Sequence, residues 1–366
     1  TAVGYQSQYY QTGGSNDAFG YQALFGASGT STGTNNSAFG NRSLFSNTTG
    51  SYNVSVGQFA LQFNTTASNN TAVGYQAANS NTTGQLTAVG YQAMLNNTTG
   101  NGDAFGSGAL LNNTTGAANV ALGLQSLRSN TSGSGNTSVG YQSLLSNTTG
   151  GSNAALGYQA LFSNTNNYNT AVGYQAGYSN TTGANINAFG YKALNNNTTG
   201  GQNDAFSYSA LASNTTGSFN SAFGFTALTS NSTGSNNTGI GNYALYSNTT
   251  ASNNTAVGYQ AGYSNTTGTP IDAFGYQALH ANTTGGGNSA FGTQALTTNT
   301  TGGANVAMGQ SSLQNNSTGN YNTSIGANAL LNNTTASNNT AVGFQAWYSN
   351  TTGSSITAMG YQAGYS

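Results

Sequence analysis

Residues 255–288 read TAVGYQAGYSNTTGTPI followed directly by DAFGYQALHANTTGGGN, one pattern written twice, so that Thr255 aligns with Asp272 and Gly258 with Gly275. Working outward, the glycine of T-A-V-G recurs from Gly4, Gly20 and Gly40 through Gly258 and Gly275 to Gly360, with Ser207 in its place once. Counting that substitution there are 22 copies; most intervals equal the step from Gly258 to Gly275, four are one position shorter, and one, Gly20 to Gly40, is three positions longer. Self-similarity at a fixed short period marks a repeat architecture, and it decides the fold before any local reading does. We number the unit T-A-V-G-Y-Q-A-L-x-S-N-T-T-G-x-x-N as columns 1 to 17. A longer period overlies it. Segments 174–258 and 259–343 both open on Tyr-Gln-Ala-Gly-Tyr-Ser-Asn-Thr-Thr-Gly and both close on T-A-S-N-N-T-A-V-G five repeats later. The chain therefore reads as a single array over 1–366, grown by copying five-repeat blocks.

Comparing columns shows which positions are physically restricted. Column 3 is large and apolar in each copy, as at Val3, Phe19, Phe39, Val56, Ile325 and Met359, and is expected to point inward. Column 2 holds only Ala, Ser or Gly and column 7 only Ala or Ser, which implies another backbone passing close by. Column 8 is mostly Leu, with Gly177, Gly262, Gly364 and Trp347 as departures. Column 5 is usually Tyr but also accepts Asn41, Gln58, Ser107, Asn242 and Thr293, a set that suits a partly exposed aromatic stripe. The mostly Gln column 6 is expected to face outward too.

These columns predict an all-β fold, a parallel β-solenoid (β-roll or β-helix) of about 22 stacked coils. One coil cannot fold alone: ordering each residue costs about 1 kcal/mol or more, while burying one Val or Phe returns about 1.5–3 kcal/mol. Neighbours in register supply the rest through strand hydrogen bonds and side-chain ladders at a spacing of about 4.8 Å. Helix is excluded by the recurring Gly and the absence of a 3.6-residue period. Disorder is opposed by the strictness of columns 3 and 7.

Only seven side chains are charged: Arg42, Arg128, Lys192, Asp17, Asp103, Asp204 and Asp272. With a net charge of −1 and no basic cluster, nothing draws in nucleic acid or an anionic lipid surface. No apolar run is long enough to span a bilayer, and no signal segment opens the chain, whose first residue, Thr1, reads as belonging to a mature product or a window of a longer one. Cysteine is absent, which leaves the redox compartment open. An enzyme reading fails on inventory: His280 is the single histidine, there is no Glu, and the four Asp lie in separate repeats. His280 falls in the variable column 9, beside Phe25, Arg128, Tyr246 and Thr297 in other copies. The Asp residues share column 1 with Thr, Ser and Asn, which reads as a strand-entry hydrogen bond and not as a calcium site. No metal, cofactor or catalytic residue is expected.

Column 11 carries the most regular polar signal: Asn47, Asn64, Asn81, Asn97, Asn113, Asn130, Asn147, Asn164, Asn180, Asn197, Asn214, Asn231, Asn248, Asn265, Asn282, Asn299, Asn316, Asn333 and Asn350, each followed by Thr or Ser. One reading is a turn whose stacked amides form an Asn ladder. The other is glycosylation, since all of them except Asn164 begin an N-x-S/T acceptor. The aromatic stripe comprises Tyr75, Tyr91, Tyr141, Tyr158, Tyr174, Tyr191, Tyr259 and Tyr276, which could stack on sugars, pack against a neighbouring fibre, or only cover the coil edge. Paired Thr such as Thr48 and Thr49 would give a flat array of the ice-binding kind if they lay on an open face.

The strings TAVGYQAG at 170–177 and DAFGYQAL at 272–279 resemble two groups over essentially the whole chain: the YadA-like heads of trimeric autotransporter adhesins, and tail-fibre-like bacterial and phage surface proteins. The resemblance implies a surface fibre, trimeric or stacked end to end, with adhesive potential. The adhesin-head repeat is shorter, and no anchor, coiled-coil stalk or C-terminal chaperone segment is read here. The expectation is a structural extracellular filament or cell-surface fibre that self-associates; the alternatives are a glycan-binding adhesin or tail-fibre shaft, and an ice-binding solenoid.

Overall fold

The structure, a computed structural model, describes residues 1–365. The protein is a parallel β-solenoid: the described residues hold 22 strands of two to four residues and no helix. They fall into two compact units, Thr1–Ala184 and Asn185–Ser366. The first unit carries the strands from Ala2–Val3 to Thr170–Val172, and the second those from Asn187–Phe189 to Thr357–Met359.

Each coil contributes one strand, columns 1 to 3, paired in parallel with the same columns of the next coil. In the second unit Ala222 faces Gly239 and Phe223 faces Ile240; in the first, Ala72 faces Ala88. Column 4 ends the strand because its backbone turns through φ near +135°, as at Gly258 (136°) and Gly275 (135°), a region that side chains avoid. A Cβ on Gly258 would also sit 2.5 Å from the carbonyl oxygen of Gly275, so conformation and neighbour both demand glycine. Ser207 holds the same kind of angle, 133°, with a side chain.

Two consecutive turns follow. Ala278 N–H donates to Gly275 C=O (3.3 Å), closing columns 4 to 7, and Asn282 N–H donates to Leu279 C=O (3.2 Å), closing columns 8 to 11. Both turns need a left-handed residue, supplied at columns 6 and 8 by Gln277 (φ 54°) and Leu279 (φ 52°). That explains the glycines found in column 8, since Gly177, Gly262 and Gly364 have φ of 60–63°. Backbone N–H groups in the turns also reach adjacent coils, as Gln277 to Tyr259 C=O and Leu279 to Ala295 C=O.

The interior corrects the expectation for column 3. In every strand after the first the pleat buries column 2 and turns columns 1 and 3 outward, whereas in the first Ala2 is exposed. Val3, Phe19, Phe39, Val56, Ile325 and Met359 are all exposed, from 36% to 70%. The core is made of the small residues instead: Ala222 in column 2, Ala227 in column 7 and Leu228 in column 8 are fully buried, and so are most of their equivalents along both units. A Cβ added at Gly239 in column 2 would meet the Leu228 side chain at 3.3 Å, so the small column seats the Leu of the coil before it. So short a loop encloses too little space for a Phe as well. Size restriction at columns 2 and 7 was the mark of the interior; apolarity at column 3 was not.

Candidate functional site

No cluster of reactive groups organises the described residues; their chemistry lies in ladders that run from coil to coil. The Asn of column 11 is the most developed. Asn231 Nδ2 donates to Asn214 Oδ1 (3.0 Å) and to Gly234 C=O (2.9 Å), and Asn231 Oδ1 accepts from Asn248 Nδ2 (2.9 Å). The first bond ties coils together and the second closes the third corner of the coil. Asn64, Asn81, Asn97, Asn113 and Asn130 repeat the coil-to-coil bond in the first unit, and Asn265, Asn282, Asn299, Asn316, Asn333 and Asn350 in the second. Asn47, Asn147, Asn180 and Asn197 also donate to the corner carbonyl.

The ladder reading of this column is shown, and its residues are buried. Its members from Asn47 to Asn333 have no exposed surface, and in most of these coils, as at Asn147, both Nδ2 protons are engaged. The geometry gives the glycan-acceptor reading no support: a sugar on Nδ2 would displace a buried hydrogen bond and have no path to solvent from the folded coil. Asn164, the member without an acceptor motif, also marks a fault. Asn166 stands where the corner Gly belongs, Asn164 Nδ2 turns to Asn166 C=O (2.8 Å), and Asn147 Oδ1 is left buried without a donor.

A second amide ladder occupies column 17. Asn53 Nδ2 donates to Asn36 Oδ1 (3.1 Å), the same oxygen accepts Asn53 N–H (3.0 Å), and Asn70 repeats both bonds on Asn53. Asn136, Asn153, Asn220 and Asn237 continue the pattern in their own units. Sequence reasoning missed this role. The signal was that column 17 never carries a charge and exchanges Asn only for Leu86, Gly102, Ile186, Ile271 and Ile356. Three of those replacements go with a small residue in column 8 of the same coil, Leu86 with Ala78, Ile186 with Gly177 and Ile271 with Gly262, while Gly102 goes with Met94, and Ile356 with Trp347, where both members are large. At Gly262 the reason is visible, since a Cβ there would lie 3.3 Å from Ile271 Cδ1; the Ile fills the space that Leu vacates. Ile271 N–H still joins the ladder, donating to Asn254 Oδ1 (3.0 Å).

Buried serines are paired in the same way. Ser43 and Ser55 bond at 2.7 Å, Ser126 and Ser138 at 2.8 Å, and Ser312 and Ser324 at 2.7 Å, each time column 7 of one coil with column 2 of the next. In these pairs a hydroxyl enters the core where the adjacent coil brings its partner.

On the outside, the eight tyrosines of the stripe are 38–53% exposed. Their rings stack on one another: Tyr75 on Tyr91 (5.4 Å), Tyr141 on Tyr158 (5.1 Å), Tyr158 on Tyr174 (5.2 Å), Tyr191 on Tyr208 (4.9 Å) and Tyr259 on Tyr276 (5.6 Å), all within 16° of parallel. Stacking covers the faces and leaves edges and hydroxyls to solvent. The adjoining Gln column, expected outside, is half-buried and forms its own ladder, with Gln92 Nε2 on Gln76 Oε1 (2.8 Å) and Gln277 Nε2 on Gln260 Oε1 (2.9 Å). Column 12 Thr hydroxyls are also engaged, as Thr48 Oγ1 to Thr65 C=O (2.9 Å), whereas column 13 Thr such as Thr49 remain exposed.

The ionisable groups do not converge. Among the described residues no three His, Cys, Asp or Glu lie together. His280 is half-buried, stacked on Tyr263 at 5.2 Å, and burial lowers its pKa from the usual 6.5. Asp204 accepts from Asn187 Nδ2 (2.8 Å) on the outer strand face. An open pocket of about 240 Å³ at the last described coil, lined by Trp347, Ile356, Met359 and Gly364 among others, offers no reactive group. No helix of the described residues is long and apolar enough to cross a membrane. No protein-family model matches the chain, and no curated protein or solved structure matches it either.

Proposed function

We propose that the chain is the shaft of a structural fibre, extracellular or at a cell surface, that bears load by stacking coils and performs no catalysis. The observation that carries this reading is the pair of buried Asn ladders. They devote the interior to coil-to-coil cohesion, beside a main chain that bonds to its neighbours in the same direction. A surface with seven charged side chains in 366 residues is insensitive to salt and suits a passive material. Partners on this reading are further copies of the chain, stacked end to end.

The other readings draw less support. Glycan binding through the Tyr stripe needs open ring faces, and the stacks occupy them. Ice binding through the paired Thr needs both hydroxyl rows open, and only column 13 is exposed, column 12 being turned to the neighbouring coil. Electron imaging and fibre diffraction of native material test the proposal. It expects filaments with an axial spacing near about 4.8 Å. Dispersed particles without that spacing, or hydrolytic or transferase activity retained by pure chain, would reject it.

A further inference from the structure

The columns that face outward on the strands are unfinished. Phe105 and Leu122 in the first unit, and Phe223 and Ile240 in the second, are 39–47% exposed on the outer side of a parallel sheet, and Tyr208 and Phe225 of column 5, two positions further along their coils, are exposed as well. We propose that this strand face is a side-by-side interface between two copies of the chain. The inference goes beyond the fibre reading, which concerns stacking along the coils, and does not require it.

Three observations select a second copy as the occupant. The first is area. A large apolar or aromatic side chain carries about 150–250 Å², so two per coil at these exposures offer roughly 120–200 Å². Counting the eleven column 3 side chains of either unit with the apolar or aromatic members of column 5, which is polar at Asn41, Gln58, Ser107, Asn242 and Thr293, the total is roughly 1,000 Å², against the roughly 800 Å² per partner of a standard stable interface. It also exceeds the roughly 300–600 Å² of the largest apolar patch on a typical monomer.

The second is period. Column 3 is apolar in each described coil, so the face repeats at the strand spacing, and a surface that meets it continuously must repeat at that spacing as well. Another copy of this chain does. The third is charge. The only charged residues on the outer strand positions are Asp17, Asp103, Asp204 and Asp272, one per several coils, and the three cations lie in columns 6 and 9. Copies therefore do not repel, and an anionic membrane finds nothing to hold.

The full chain is tested by sedimentation velocity at micromolar concentration, with the triple variant Phe206→Thr, Phe223→Thr, Ile240→Thr, which keeps β-forming residues at outward-facing sites, Phe206 half-buried and the other two exposed. The wild type is expected to sediment as a dimer or higher species, and the variant to dissociate at least ten-fold more readily with its far-UV spectrum unchanged. Thr216→Lys, on the exposed Thr column, is expected to leave association intact. The chain lacks cysteine, so single-Cys variants give a second readout even if the triple variant fails to fold. Ile240→Cys should cross-link between copies and Thr216→Cys should not. A monomeric wild type, a triple variant that associates undiminished, or equal cross-linking at both positions would overturn the proposal. Axially ordered fibres persisting in the triple variant at unchanged width would sink this interface alone. Association without axial order would sink only the fibre reading.

Discussion

Asn231 and Phe223 belong to one coil, residues 221–237, and the polar one is buried while the aromatic one is in solvent. Asn231 uses both Nδ2 protons and its Oδ1 inside the coil; Phe223 lies between Phe206, at 4.7 Å, and Ile240 of the next coil and remains 39% exposed. The contrast teaches what a narrow solenoid can enclose. A coil of this length has room for residues that bond or pack at short range, and amides satisfied along the stack serve better there than a ring that would not fit. Large apolar groups go to the strand face, where another surface can cover them.

Breaking the inner side should have the largest effect. Asn231→Ala would leave Asn214 Oδ1 and one Asn248 Nδ2 proton without a partner, each at about 1–3 kcal/mol, and would remove one of the two bonds to Gly234 C=O, which keeps Asn220 Nδ2. We expect a loss of about 3 kcal/mol or more, read as faster amide hydrogen exchange across 214–251; a loss below about 1 kcal/mol would mean the ladder is ornamental. Gly262→Leu should come next. It overpacks against Ile271 and Leu245 and is expected to cost about 1–3 kcal/mol. Adding Ile271→Asn should recover much of that, giving a favourable coupling of about 1 kcal/mol in a double-mutant cycle; strict additivity would refute the volume exchange.

Ser207→Gly should stabilise by about 1 kcal/mol, because Ser207 holds φ 133° with a side chain, and denaturant midpoints would show it. On the outer side, Phe223→Thr is expected to cost less than about 1 kcal/mol of coil stability, chiefly the stack on Phe206. A larger loss would mean that the face contributes to the fold itself. The smallest effect concerns pH. Burial lowers the His280 pKa below its unfolded 6.5, so the unfolded chain binds the proton more readily. Stability is then full above that pH and declines as pH falls through 6.5 towards the depressed folded value, and His280→Gln should flatten the decline in a titration of unfolding midpoints.

The solenoid was legible because a short, strict period with fixed glycines admits few other folds, and the Asn column was legible as a turn. Column 3 was misread for a definable reason. A three-residue strand has too few alternations to show which face is inner, so hydrophobicity alone was used, whereas the size limits at Ala222 and Ala227 carried the information. The Asn53 ladder, the Ser43 and Ser55 pair and the Gly262 and Ile271 exchange were hidden because each is a relation between two positions. Scanning one column at a time cannot reveal it.

The exchange between columns 8 and 17 also governs how such a chain can lengthen or shorten. Gly177 with Ile186 and Gly262 with Ile271 stand five coils apart, and the two members of each set stand well apart along the chain, on opposite sides of the Asn-Thr-Thr corner. A gene rearrangement that breaks between them would pair Gly with Asn or Leu with Ile, leaving a void in the first case and a clash in the second. Breakpoints that spare whole coils are therefore the ones a viable product tolerates, so the array should vary among lineages in copy number far more readily than in phase.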